Sequence, residues 1–376
     1  MTTVREINDP AEFEAISADW HRLLAQTPGA TYFQSPEWLA GYWQHFGGRQ
    51  KLRLLVVEDD GRITGILPLV VRSSRRLATN VRVLTYPLDD WGSYFGPIGP
   101  DPAATLAAGL DHVRNTPRDW QVMELAWVDA LGADDGRTAD ALEGVGLETT
   151  CETRQTTALV ELQQYDGWQQ YWASRQSRWR NNVRRSEKKL AAQGKLTHLR
   201  YRPEGGPDTD PRYDLYEACE EIASKSWQAD STTGTTLVHD EVREFFRESH
   251  AIAARSGGLD LNLLLLDGKP VAFNYAYHHR GHVFGLRTGY DASAASDGAG
   301  SVLQARMIED SFERGDHTYD LGPGYLDCKR YWLTAARPSF RYTHFPAGVP
   351  IAHLMRLKRN LSRWWRGGRE VPVTGK

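Results

Sequence analysis

The chain has 376 residues, 25% of them charged and 40% hydrophobic, with a formal net charge of −3. That length suits two domains or slightly more, and it buries a sizeable core without disulfide or metal staples. The composition excludes a disordered chain, and the charge argues against a protein that coats nucleic acid with its whole surface.

No apolar run is long enough to cross a membrane, and the opening MTTVREINDP has no apolar signal core, so a cytoplasmic location is expected. Cys151, Cys219 and Cys328 are far apart and odd in number, which fits a reducing compartment; no metal-ligand spacing is present and no metal is expected. Thirteen tryptophans and sixteen tyrosines are a heavy aromatic load.

In chain order, residues 1–8 read as a strand. A helix over 11–25 follows, with Phe13, Ile16, Trp20, Leu23 and Leu24 at helical spacing. Ser35-Pro36 opens a second helix, Ser as the cap and Pro in the first turn. Strands at 52–57 and 63–71 flank Asp60-Gly61, a hairpin signal. A strand at 94–98, a helix from Pro102 and a strand at 122–128 complete the first half. An acidic, Gly-rich stretch at 129–146 leads to a boundary near residue 160.

The second half begins with a helix at 168–193. Its Trp168, Trp172, Trp179, Val183 and Leu190 share one sector. Residues 203–211 are a loop. Helices at 212–228 and 240–256 precede strands at 261–266 and 271–278, joined by Asp267-Gly268. A strand at 282–288, a helix at 301–313, and strands at 319–321 and 340–345 follow. The order of the first half is thus repeated: helices, an Asp-Gly hairpin, a strand, a helix, a strand. A period of about 200 residues means tandem copies of one domain rather than a solenoid. The expected division is 1–160, 161–346 and a basic tail at 347–376.

Four features carry possible chemistry. Asp297-Gly298-Ala299-Gly300-Ser301 precedes an apolar helix; two glycines at a helix start suit either a phosphate cradle or a capped turn. The segment 174–195 holds eight Lys or Arg against one acid, so it is either a solvated face or a contact for an anionic partner. Tyr319-Asp320-Leu321-Gly322-Pro323-Gly324-Tyr325, with Lys329 and Trp332, places a carboxylate at a strand end beside two glycines. There Asp320 either takes or orients a proton or satisfies backbone donors. Lys329 is placed to pair with Asp320 or with substrate. Residues 351–366 alternate apolar side chains with Arg and Lys, as a helix that either docks on its own domain or lies on an anionic membrane surface. His278, His279 and His282 read as hairpin residues. No zinc-hydrolase or serine-hydrolase motif is present.

On these residues the chain resembles the GNAT superfamily of acyltransferases. It is more closely similar to the large bacterial GNAT-like family with two such domains, often associated with polysaccharide or natural-product biosynthesis. The resemblance rests on the stretch from Ser174 to Arg185, on Asp267-Gly268-Lys269-Pro270-Val271-Ala272, and on Tyr290-Asp291 leading to Gly298-Ala299-Gly300-Ser301. Asp320-Leu321-Gly322-Pro323-Gly324, with Lys329 and Trp332, and Phe33-Gln34-Ser35-Pro36-Glu37-Trp38 add to it. The fold it implies is α/β, with two tandem GNAT-like domains, each a mixed sheet flanked by helices.

The resemblance implies acyl transfer from acyl-CoA, such as acetyl-CoA, to an amine or sugar-amine acceptor. It places the CoA pyrophosphate on Gly298, Ala299, Gly300 and Ser301, with Arg287 orienting anionic groups. Asp320 would position or deprotonate the amine, Tyr290 would protonate the leaving thiolate, and Lys329 would assist. Arg178, Asn181, Asp90 and Tyr94 are candidates for substrate contact. The family places Gln or Arg three residues before the first glycine of the loop, where this chain has Ala295. In the first half Gly99-Pro100-Asp101-Pro102 is a poor phosphate cradle, because proline lacks a donor. The first domain is therefore expected to be degenerate and the second catalytic.

The tandem plan is also similar to the Fem-type transferases, which take an amino acid from tRNA and have a basic helix like 174–195. Two alternatives follow, an aminoacyl-tRNA-dependent transferase and a non-catalytic binding protein that kept the fold. Nucleic acid is expected as a partner only as tRNA under the first of these.

Overall fold

The computed structural model describes residues 1–226, 236–293 and 298–365, with side chains described up to residue 361. In the first half, β1 (Thr2–Ile7) leads to helices α1 (Phe13–Gln26) and α2 (Pro36–Phe46). Three antiparallel strands follow: β2 (Gln50–Asp59), β3 (Arg62–Arg76) and β4 (Thr79–Thr85). Helix α3 (Pro102–Asn115), β5 (Val122–Val128), α4 (Arg137–Gly144) and β6 (Thr149–Glu161) close the unit.

The second half repeats the plan. After α5 (Trp168–Ser174) and α6 (Ser177–Ala191) come β7 (Leu196–Tyr201), α7 (Tyr213–Ser224) and α8 (Asp240–Arg255). Then β8 (Leu259–Leu266), β9 (Lys269–His279), β10 (His282–Tyr290), α9 (Ala299–Glu313), β11 (Thr318–Pro323), α10 (Leu326–Lys329) and β12 (Ala335–His344) follow. Helix α11 (Pro350–Trp365) ends the described chain.

Local chemistry accounts for much of this. Ser35 Oγ accepts the backbone N–H of Trp38 at 3.1 Å and so caps α2. At the two Asp-Gly hairpins both turn residues have positive φ: Asp60 47° and Gly61 77°, Asp267 49° and Gly268 77°. This is the turn whose twist matches antiparallel strands.

Among the described residues the strands form one twelve-stranded sheet, ordered β1-β2-β3-β4-β5-β12-β6-β11-β10-β9-β8-β7. Its order is symmetric about the β12–β6 pair. The last strand of each half is exchanged: β12 pairs with β5 of the first half, and β6 pairs with β11 of the second.

Behind β8 and β9 pack α6 and α9, with Val183, Leu190, Val302 and Met307 in one core. On the opposite face α7 and α8 meet the first half in a larger core. That junction takes up much of the aromatic load. Tyr32 stacks on Tyr277 at 4.5 Å, and Phe33 meets Phe284 at 5.7 Å. Trp38 meets Phe245 at 5.7 Å, and Trp91 meets Phe245 at 4.9 Å. The segment Phe33 to Trp38 is thus a seam between the halves.

Several elements differ from the sequence reading. Residues 94–98 are a loop carrying one bridge, Ile66 to Ile98; the third strand of the first half is β4 instead. Strands β6 and β7 were not expected. The single helix at 168–193 is two, because Arg175 and Gln176 are extended (ψ 155° and 129°). The Gly-rich stretch at 129–146 contains α4. The C-terminal end of the helix expected at 212–228 lies outside the described residues.

Candidate functional site

The second half carries a notch between two parallel strands. β10 and β11 pair only at His282–Thr318, Val283–Tyr319 and Phe284–Asp320. On its other side β10 pairs with β9, and the register slips between Gly285 and Arg287, a bulge at Leu286. Gly285 is obligatory here, since a Cβ would lie 2.6 Å from the Asp320 carbonyl oxygen.

Asp320 sits where the paired stretch ends. It is 3% exposed. Ser93 Oγ donates to Oδ2 at 2.7 Å, and the Gly322 N–H donates to Oδ1 at 2.5 Å. Burial pushes the carboxyl up to about 6, against the pull of these two bonds and of nearby Lys329 and Arg337. Lys329 Nζ donates to the carbonyls of Gly322 (2.8 Å), Pro323 (3.2 Å) and Gly324 (3.0 Å), and burial lowers its pKa. It clamps the turn that holds the Gly322 donor, so it acts on Asp320 by position.

Asp320 lines a cavity of about 110 Å³ between the halves, with Tyr94, Asp129, Arg337, His282 and Phe284 among its walls. The Tyr94 hydroxyl donates to the Arg337 carbonyl at 3.1 Å. Asp129 Oδ1 is buried there without a hydrogen-bond partner among the described residues, and burial raises that carboxyl. Tyr94 therefore joins Asp320. Ser93, Asp129 and Arg337 belong to the same site but were missed. Ser93 alone had a signal, the Gly92-Ser93 step among aromatics, where a Cβ on Gly92 would lie 2.6 Å from the Phe33 ring.

The expected cofactor residues divide. Gly298 caps α9 in the left-handed region (φ 88°), and Ala299, Gly300 and Ser301 form the first turn. Helix α6 crosses beside it: a Cβ on Gly298 would lie 2.7 Å from Ser186 Oγ. Ala295 and Asp297 lie outside the described residues. Arg178 and Asn181 are exposed on the first turns of α6.

Tyr290, Arg287 and Asp90 do not line the cavity that Asp320 lines. Tyr290 is 41% exposed, and its ring lies 3.4 Å from a Cβ built on Gly300. Four residues of strand, roughly 13 Å, separate it from the Leu286 bulge. It stands at the α9 end of the notch, beside Gly300. Arg287 is on the sheet face away from α9, over the rings of Trp91 (5.9 Å) and Phe246 (5.7 Å), where burial lowers its pKa to about 10. It does not join the Gly298 loop. Asp90 forms an ion pair with Arg154 at 2.5 Å and stays largely exposed, away from Asp320's cavity.

The first half mirrors this notch without its openness. β4 and β5 are parallel and pair at three positions, the third being Thr85–Glu124, so Glu124 stands where Asp320 stands. Arg76 holds the Glu124 carboxylate with two bonds at 2.6 and 2.8 Å. β3 and β4 pair without a bulge. At the start of α3, Asp101 Oδ1 accepts the Ala104 N–H at 2.9 Å, so a carboxylate already occupies that helix end.

Among the described residues no three His, Cys, Asp or Glu side chains converge as a metal cluster. No helix there is long and apolar enough to cross a membrane.

Residues 177–330 match the model of the acetyltransferase (GNAT) domain family. Among curated proteins no sequence matches the chain. The crystal structure of FemX is similar, at a TM-score of 0.62 and 13% identity, covering 94% of this chain and 99% of that one. The C-terminal domain of a lysylphosphatidylglycerol synthetase from Agrobacterium fabrum is similar at a TM-score of 0.54 and 12% identity, covering 96% of this chain and 99% of that one. Identities this low establish a shared fold and nothing finer.

Proposed function

We propose that the chain is an N-acyltransferase, on the premise that residues 177–330 match the model of the acetyltransferase (GNAT) domain family. It moves an acyl group, acetyl or another short acyl, from acyl-CoA to an amine acceptor. The observation that carries this reading is the buried Asp320 carboxyl, poised at about 6 where β10 and β11 part. A base with that pKa is largely ionised near neutral pH and still able to accept a proton.

The donor's pyrophosphate would rest on the first turn of α9, at Gly298 to Ser301. Its thioester carbonyl would meet backbone N–H groups at the Leu286 bulge, which stabilise the oxyanion. The acceptor amine would enter from the cavity between the halves. Asp320 would take its proton, directly or through one water, as nitrogen attacks the carbonyl carbon. Collapse of the tetrahedral intermediate then expels the CoA thiolate. Ser93 and Lys329 act as positioning residues, and Asp129 and Tyr94 line the acceptor's path. The first half, with Glu124 bound by Arg76, supplies walls and not chemistry.

Calorimetry with acetyl-CoA, paired with mass spectrometry of the native protein for a retained CoA thioester, tests the reading. Binding that is lost in Gly300→Trp supports it. Absence of binding by any acyl-CoA overturns it.

One observation favours a second donor. The exposed basic residues Arg178, Arg184, Arg185 and Lys188 of α6 lie on the helix that crosses the start of α9. An aminoacyl-tRNA would use that face, so charged tRNA rather than acyl-CoA would support turnover, with affinity falling steeply as salt rises.

A further inference from the structure

Helix α11 is covered on one side only. Ala352 is fully buried, and Ile351 and Met355 pack with it against Val81, Val83 and Val122 of β4 and β5. Arg359 secures that side through an ion pair to Glu152 of β6 at 2.7 Å. The helix is therefore formed and pinned before anything else binds it.

The other side carries Leu354, Leu357 and Leu361, which are 56%, 59% and 60% exposed. Positions i, i+3 and i+7 fall within a sector of roughly 60°. A row of three largely exposed leucines on one helix marks a contact surface. Arg356 and Lys358 are exposed beside the row, and no Asp or Glu occurs between residues 346 and 365. Arg118, over the Trp120 ring at 5.7 Å, adds charge nearby, since both it and Arg356 act on His344.

We propose that α11 is a membrane-surface helix that lies flat on an anionic bilayer. Leu354, Leu357 and Leu361 enter the boundary between headgroups and acyl chains, and Arg356 and Lys358 meet lipid phosphates. Long basic side chains suit that place, because their stems cover apolar surface while their heads reach the phosphates. A second copy of the chain is a poorer occupant. Two-fold packing would oppose the same patch to itself and bring Arg356 and Lys358 against their own equivalents.

Co-sedimentation of the full chain with vesicles tests this. Vesicles of phosphatidylcholine containing phosphatidylglycerol should bind about tenfold or more better than phosphatidylcholine alone, and added salt should reduce the difference. Leu354→Glu, Leu357→Glu and Leu361→Glu together should abolish binding without moving the thermal midpoint, because the three side chains are exposed. Arg356→Glu with Lys358→Glu should remove the preference for phosphatidylglycerol. Equal binding to both vesicles, or binding to neither, overturns the proposal. So does a dimer by light scattering that the triple leucine variant dissociates, which would give the face to a second copy.

Discussion

Ser93→Ala tests the site most directly, because Ser93 comes from the first half and Asp320 from the second. Burial drives the Asp320 carboxyl up to about 6 while the Ser93 hydroxyl pulls it down. A hydrogen bond to a charged group contributes about 1.5–3 kcal/mol, and about 1.4 kcal/mol corresponds to one pH unit. Losing the bond should move the acid limb of kcat/KM from about 6 to about 7 or 8. At pH near 6.5, activity should then fall by roughly threefold to twenty-fivefold, with little change near pH 9. The assay is thiol release from acyl-CoA across pH, with Asp320→Asn as the control in which the limb vanishes.

Stability gives a second readout. A carboxyl raised from 3.8 to about 6 contributes stability that is present below its unfolded pKa and is lost as pH rises through 6. The loss at pH 8 is about 3 kcal/mol, so Asp320→Asn should recover part of it at pH 8 and none at pH 3. An acid limb that stays in place in Ser93→Ala, or moves to lower pH, would refute the role given to Asp320.

Gly285→Val forces a Cβ to 2.6 Å from the Asp320 carbonyl oxygen. It should cost about 1–3 kcal/mol by overpacking, read from urea midpoints, and abolish turnover. Glu124→Gln should leave kcat/KM unchanged but lower stability by about 1–3 kcal/mol, because it leaves Arg76 without its charged partner. Asp260 is fully buried between Arg200 (2.6 Å) and Arg202 (2.5 Å). Asp260→Asn should destabilise by about 3–5 kcal/mol in chemical denaturation, since two guanidinium groups lose a buried counter-charge.

The sequence made some elements plain and hid others for identifiable reasons. Helices with one apolar stripe, such as α1, and the two Asp-Gly hairpins were legible because their signals are local. β4 was hidden because its turn is made by Leu77 and Ala78, at φ 50° and 61°, with no Gly or Asn to mark it. β6, from Thr149 to Glu161, reads as polar, and its strand character comes from being held between β11 and β12. Asp320 and its glycines stood out as a motif. Its partner Ser93 lies 227 residues away, and no spacing rule reaches that far. The place of Arg287, over Trp91 and Phe246, is hidden for another reason: membership of a strand does not say which face a side chain serves.

The exchanged strands make the two halves one cooperative object. β11, which carries Asp320, takes its outer hydrogen bonds from β6, and β12 is held between β5 and β6. A second half expressed as residues 162–346 would leave one edge of β11 unpaired and expose both edges of β12. It would also lose the Ser93 bond to Asp320. Exposed strand edges and the uncovered rings of Tyr277 and Phe245 favour aggregation. That fragment should therefore be insoluble alone and recover only when the first half, residues 1–161, is supplied in trans. A soluble, monomeric fragment with a cooperative melt and native acyl-CoA turnover would show that the chemistry needs nothing from the first half, and the role of Ser93 would fall with it.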